Sequence, residues 1–401
     1  MTYNFDEVID RKNTNSVKHD FHGRNKMPDD AIPLWVADMD FRTPAPVIEA
    51  LVKSAEHGIF GYSETREDYF LVLKKWFSDN YDWEIQPSWI VKTPGVVFAI
   101  AMAVRALTVK GDAVMIQRPV YYPFSNVIRD NGRTLVNNPL IYNEGTYSID
   151  FEDFETKIIE SSVKLFILCN PHNPVGRVWT REELTRLGDI CKKHGVTVVA
   201  DEIHADFIYN GFRHEVFANI KPEFADITIT CTAPSKTFNL AGLQASNIII
   251  SNRELKEAIK IEINKTGHGQ INTMGIVACK AAYEYGHEWL QQLKVYLAGN
   301  LSFVRKFLTQ RLPRVKLVEP QGTYLVWLDF NELGLTEAEL EKLIVSDAKL
   351  WLDGGTMFGE EGKGFQRINI ACPRVILEKA FLQLEAAVNQ RGCCKTFSSR
   401  T

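Results

Sequence analysis

Two patterns of apolar residues recur along this chain. Short runs that are apolar at nearly every position, at residues 89–92, 113–117, 165–169, 196–200, 227–231 and 245–251, predict strands buried on both faces. Between them lie longer stretches with apolar residues at helical spacing. Residues 96–107 predict one such helix. Another starts at Thr180, which forms a capping-box pair with Glu183, and stops at Gly195. Nearer the N-terminus, Thr43 is placed to cap a helix with Pro44 at its first position. Val47, Ile48, Leu51, Val52 and Ala55 give that helix one apolar face, and Gly58 ends it. Strands alternating with helices predict an α/β fold, a mostly parallel sheet with helices on both faces.

The alternation fades near residue 285. Strands at 322–329 and 365–371, a helix at 336–348 and a terminal helix at 375–389 predict a smaller α+β domain. The expected division is an N-terminal arm at 1–45 joining the small domain, a large domain at 46–285, a small domain at 286–390 and a frayed tail at 391–401. Within the arm, residues 33–41 read as an apolar, strand-like segment that carries Asp38 and Asp40.

Composition narrows the class. The chain has 401 residues, 45% hydrophobic and 24% charged, enough apolar material for a core of this kind. A net charge of −4 gives no general attraction to nucleic acid or anionic membranes. Seven cysteines without a Cys-x-x-Cys pair predict neither a disulfide framework nor a metal site, and fit a reducing compartment. The first ten residues are polar and acidic, unlike a signal peptide, and the longest apolar run, 96–104, is far too short to span a bilayer. The expectation is a soluble, cytoplasmic protein.

Candidate chemistry gathers at strand ends. Asn173, Asp201 and Lys236 each follow the carboxyl end of a predicted strand, the edge at which open α/β sheets bind ligands. A lysine there can form a Schiff base with a carbonyl cofactor, though most lysines are solvated loop residues. A buried aspartate past a strand needs a cation or an N–H partner. Gly95 opens the helix at 96–107, where backbone N–H groups can approach an anion. Tyr121 lies in a rigid loop between two prolines, either core filler or a stacking platform. Tyr62 sits in the turn 60–63 and reads as a packed loop aromatic on pattern alone.

Taken together, Thr-Pro-Gly at 93–95, Tyr121, Asn-Pro-His-Asn-Pro-Val-Gly at 170–176, Ala-Asp-Glu-Ile-His at 200–204, Ser-Lys-Thr-Phe-Asn at 235–239 and Arg367 resemble fold-type-I pyridoxal-phosphate enzymes. Trp-Val-Ala-Asp-Met-Asp-Phe at 35–41 and Ala-Pro-Ser-Lys-Thr-Phe-Asn-Leu-Ala-Gly-Leu at 233–243 make the likeness closer to the MalY/PatB-type C–S lyases, the cystathionine β-lyase group. The resemblance implies that Lys236 carries pyridoxal 5'-phosphate and then serves as base at Cα. It implies that Asp201 pairs with the pyridine nitrogen, Asn173 bonds the phenolic oxygen and Tyr121 stacks on the ring and is a possible proton donor. Gly95, Val96, Ser235 and Thr232 would bind the phosphate, with Tyr62 reaching it from the neighbouring subunit of a homodimer. Arg367 and Ala37 would bind the substrate carboxylate end, and His204 stands where many relatives carry a tyrosine near the phenolic oxygen.

The implied reaction is α,β-elimination of an L-amino acid with sulfur on Cβ, such as L-cystathionine or L-cysteine, to a thiol, pyruvate and ammonia. An aminotransferase on the same scaffold is the alternative, as is a regulatory protein that binds a transcription activator. One position departs from typical aminotransferases: Gln244 stands where they place a phosphate-gripping arginine. MalY-type lyases also tend to lack that arginine.

Overall fold

A computed structural model describes residues 2–392 of the chain. The tail expected at 391–401, with Cys393 and Cys394, lies almost entirely outside the described residues.

Seven strands make the central sheet: β1 (Ile90–Thr93), β2 (Ala113–Ile116), β3 (Thr134–Asn137), β4 (Leu165–Cys169), β5 (Thr197–Asp201), β6 (Thr228–Thr232) and β7 (Ser246–Ile249). Their spatial order is β1-β7-β6-β5-β4-β2-β3. Only β7 runs against its neighbours. The expected mostly parallel sheet is thus present, with one reversed strand that the apolar pattern does not signal.

Burial on both faces is visible strand by strand. Along β4, Leu165, Ile167 and Cys169 join one core, while Phe166 and Leu168 join another on the opposite face. Three of the helices are α1 (Ala45–His57), α2 (Val96–Leu107), which reaches a cavity at the edge of the sheet, and α3 (Arg181–His194). Ala99, Ile100 and Ala103 of α2 pack into the first core, and Leu184, Leu187 and Cys191 of α3 into the second. The Thr180–Glu183 capping box and the left-handed Gly195 stop of α3 are formed as the sequence predicts. Gly188 of α3 has a packing reason: a Cβ there would lie 2.3 Å from the Phe224 ring.

The start of α1 differs from expectation. The helix begins at Ala45, and Pro44 takes the cap position in an extended conformation. Thr43 is therefore one residue too early to reach the first N–H groups, and its hydroxyl is buried without a partner among the described residues. Of the apolar face of α1 only Val47 is buried; Ile48 and Val52 are 37% and 49% exposed.

A second, antiparallel sheet has the order β8-β9-β11-β10, formed by β8 (Lys316–Val318), β9 (Leu325–Asp329), β10 (Asp353–Gly354) and β11 (Phe365–Asn369). The helix expected at 336–348 is a short one, Glu337–Glu341, capped by Thr336 and Glu339 and continued as wider turns over Lys342–Asp347. Residues 33–41 are not a strand. Only Ile32–Pro33 pairs as a strand, with Leu350–Trp351; beyond it Leu34 keeps backbone bonds to Trp351 and Asn369 and Asp40 one to Ala371, and most of the other contacts come from side chains. Among the described residues no helix is long and apolar enough to cross a membrane, and no group of three His, Cys, Asp or Glu could hold a metal ion.

Candidate active site

The carboxyl ends of β1, β2, β4, β5 and β6 share one edge of the central sheet, and a cavity of about 410 Å³ opens there. Of the predicted residues, Ala37, Gly95, Val96, Tyr121, Asn173, Asp201, His204, Ser235 and Lys236 all line it.

One end of the cavity is built to take an anion. Helix α2 begins after Gly95 without a side-chain cap, and its first backbone bond runs from Ala99 N–H to the Gly95 carbonyl at 3.1 Å. The N–H groups of Val96, Val97 and Phe98 therefore have no acceptor within the helix. Gly95 has an extended backbone at φ 174°, open to any residue, and a Cβ there would meet no protein atom within 4 Å. Neither backbone nor neighbours require glycine, so what a Cβ would occupy is the space in front of these N–H groups. Ser235, whose hydroxyl makes no hydrogen bond among the described residues, and Gln244 line the same cavity.

The middle is a set of buried polar groups. Asp201 accepts from Ile203 N–H at 3.1 Å, and burial pushes its carboxyl up to about 7. A cation placed against it would relieve that cost. His204 is 3% exposed, with Nδ1 unpartnered among the described residues; burial, then the charges of Lys236 and Arg367, keep it neutral. Asn173 accepts from Arg367 Nη1 on Oδ1 at 2.9 Å, which leaves its amide N–H groups to donate into the cavity. Tyr121 stands beside it, its N–H bonded to the Asn173 carbonyl at 3.0 Å and its phenol pushed up to about 12 by burial.

Lys236 occupies a short helical turn, Pro234–Thr237, that follows β6. Burial pushes its ammonium down to about 8, against the pull of Asp38, so about a tenth is neutral amine at pH 7. Its Nζ donates to the Ala37 carbonyl at 2.8 Å, which also accepts from the Tyr324 hydroxyl at 2.9 Å. The rest of this N-terminal segment is tied down in the same way. Arg367 bonds the Trp35 carbonyl, Asn369 those of Val36 and Asp38, and Asn239 those of Met39 and Phe41. The 35–41 motif thus acts through its backbone, as one wall of the site.

Three predicted residues, Thr232, Tyr62 and Arg367, do not line the cavity. Thr232 is buried with its hydroxyl given to the Asn247 carbonyl at 2.7 Å, because β7 pairs there, so it offers no donor to the site. Tyr62 is fully exposed on the surface of this chain. Arg367 is buried just behind Asn173. Sequence reading missed Cys169, Tyr324 and Asp353: Tyr324 lies within the predicted strand 322–329, where a polar side chain at a buried position was the available signal, while Asp353 lies outside every predicted element.

The residues 29–381 match the model of the aminotransferase class I and II family. The chain belongs to that family. Among curated members it is 45% identical to cystathionine beta-lyase PatB of Bacillus subtilis, over 96% of this chain and all of that protein. The fold is that of solved members as well. It is similar to cystalysin from Treponema denticola, which contains a pyridoxal 5'-phosphate cofactor, with a TM-score of 0.94 and 38% identity over 98% of this chain and 100% of that one. It is also similar to the pyridoxal-phosphate-bound C–S lyase from Staphylococcus hominis, with a TM-score of 0.90 and 35% identity over 96% and 98% of the two chains. The cavity of this aminotransferase class I and II protein lies at the carboxyl edge of the strands, where open α/β sheets bind ligands.

Proposed function

We infer that this protein is a pyridoxal-phosphate-dependent carbon–sulfur β-lyase that acts on L-cystathionine, L-cysteine or related S-substituted L-cysteines. The observation that carries the reading is the joint placement of Lys236, Asp201 and the open α2 N-terminus on one cavity of suitable size. These residues fit the cofactor: Lys236 for its aldehyde, the buried Asp201 carboxylate for a protonated ring nitrogen, Asn173 for its phenolic oxygen, and the N–H groups of α2 with Ser235 for its phosphate. When bound, the cofactor supplies a sink for the electrons of the Cα–H bond.

The chain's own residues do the rest. Arg367 holds the substrate carboxylate by charge-assisted hydrogen bonds, with Ala37 at the same end. Lys236, which would hold the cofactor's aldehyde and is about half neutral amine at pH 8, would remove the Cα proton. The thiolate then leaves Cβ, and Lys236 or Tyr121 returns a proton to it. With one water consumed, each substrate yields one thiol, one pyruvate and one ammonia. Tyr121 and the 35–41 wall exclude bulk water from this exchange.

The reading includes a homodimer and a division of labour: residues 46–285 hold the cofactor, while 286–390 with the arm 1–45 hold the substrate carboxylate. Support for the dimer comes from the exposed apolar side chains of Ile48, Val52, Ile59, Phe60 and Tyr62, which form an uncovered surface on and beyond α1. In that assembly Tyr62 reaches the partner's phosphate end, and the dimer works in the cytoplasm.

The test is to supply L-cystathionine without any 2-oxo acid. Equal yields of pyruvate and free thiol are expected; turnover that requires an added 2-oxo acid would make the protein an aminotransferase.

A further inference from the structure

Arg367 on β11 stands directly opposite Asp353 on the edge strand β10. Both side chains are 4% exposed, and Arg367 Nη2 forms an ion pair with Asp353 Oδ2. Nη2 also donates to the Trp35 carbonyl at 2.9 Å, and Nη1 donates to Asn173 Oδ1 at 2.9 Å. The guanidinium lies 4.9 Å from the centre of the Phe358 ring. Of these four supports, Asp353 alone carries a charge. Three of the five guanidinium N–H bonds are engaged, and Nε is sealed from solvent with no partner among the described residues.

A buried guanidinium supported only by a carbonyl, an amide and a ring would be poorly compensated and free to swing. An anion fixed on the neighbouring strand removes both problems, because the β ladder sets the separation and the direction of the pair. We propose that Asp353 is a positioning residue for carboxylate recognition: it fixes the plane of the Arg367 guanidinium so that the unengaged Nη1 N–H, on the side of Asn173, meets the substrate's α-carboxylate. This rests on the reading of Arg367 as the carboxylate anchor. Asp353 touches neither substrate nor cofactor; it acts through Arg367.

The experiment compares an S-substituted L-cysteine with its methyl ester, which keeps the amine and the sulfur but lacks the carboxylate charge. Thiol release by the holoenzyme gives kcat/KM for each. In Asp353→Asn the value for the acid falls at least about tenfold while that for the ester stays within about twofold, so the preference for the acid collapses. A role in general stability would lower both in proportion, and that result, like an increased preference for the acid, overturns the proposal. Arg367→Gln is measured alongside. If it leaves the acid preference intact, the anchor reading itself fails; if it abolishes the preference and Asp353→Asn does not, only the present proposal fails. Should Asp353→Asn not fold, Asp353→Glu keeps the charge one methylene further out. It then shows a partial loss confined to the acid, and losses shared equally by acid and ester reject the idea.

Discussion

Lys236 and Tyr324 meet on one acceptor. The Lys236 Nζ and the Tyr324 hydroxyl lie 2.8 and 2.9 Å from the Ala37 carbonyl oxygen. One residue follows a strand of the central sheet, another opens a strand of the second sheet, and the carbonyl between them belongs to the N-terminal segment. Removing the Tyr324 hydroxyl with Tyr324→Phe leaves the carbonyl bonded to Lys236 but less firmly held. The expected cost is about 1 kcal/mol, or roughly fivefold in kcat, with the melting temperature nearly unchanged. Steady-state kinetics beside a thermal melt checks it.

Asp201 makes the cofactor-free protein sensitive to pH. Its carboxyl titrates near 7 when folded, against an ordinary value of 3.8, because it is buried. The folded state therefore holds this proton more tightly than the unfolded state does. The associated stability is complete below about pH 4 and is lost as pH rises to 7, a change on the order of a few kcal/mol. Urea unfolding of cofactor-free protein between pH 5 and 8 should show this decline, and Asp201→Asn should flatten it. Bound cofactor, with its ring nitrogen protonated, should restore most stability at the high end.

Gln244 lines the cavity without bringing a charge to it. Gln244→Arg places a cation beside the phosphate, and cofactor affinity should rise about tenfold or more. Equilibrium dialysis of cofactor against both proteins measures this directly. An unchanged affinity would mean that the α2 terminus, Ser235 and the partner chain already satisfy the phosphate.

The exposed apolar side chains on and beyond α1 predict that assembly and activity are linked. Val52→Asp together with Phe60→Asp should give a monomer in sedimentation velocity, with cofactor retention and turnover both reduced. Tyr62→Phe should keep the dimer and weaken cofactor binding by about 1 kcal/mol.

The fold class and most of the site were legible in the chain because they depend on local signals. Continuous apolar runs mark strands buried on both faces, and polar residues just beyond their carboxyl ends fall on a common edge; Asn173, Asp201 and Lys236 were found that way. What was not legible depends on long-range pairing. The reversal of β7 leaves no trace in its own residues, yet it is what takes the Thr232 hydroxyl out of the site. The 35–41 segment looks like a strand because it is apolar, but its carbonyls are claimed by Lys236, Asn239, Arg367 and Asn369, all distant in sequence. Asp353 reads as one acid in a turn until β10 and β11 bring it opposite Arg367.

The measurement that bears most directly on the account follows pyruvate and free thiol together, for wild type and Lys236→Ala, with L-cystathionine and bound cofactor. The account predicts matched appearance of both products in the wild type, and a loss of at least about a thousandfold in the variant, in which no base remains at Cα. Elimination persisting in Lys236→Ala at near wild-type rate would contradict it.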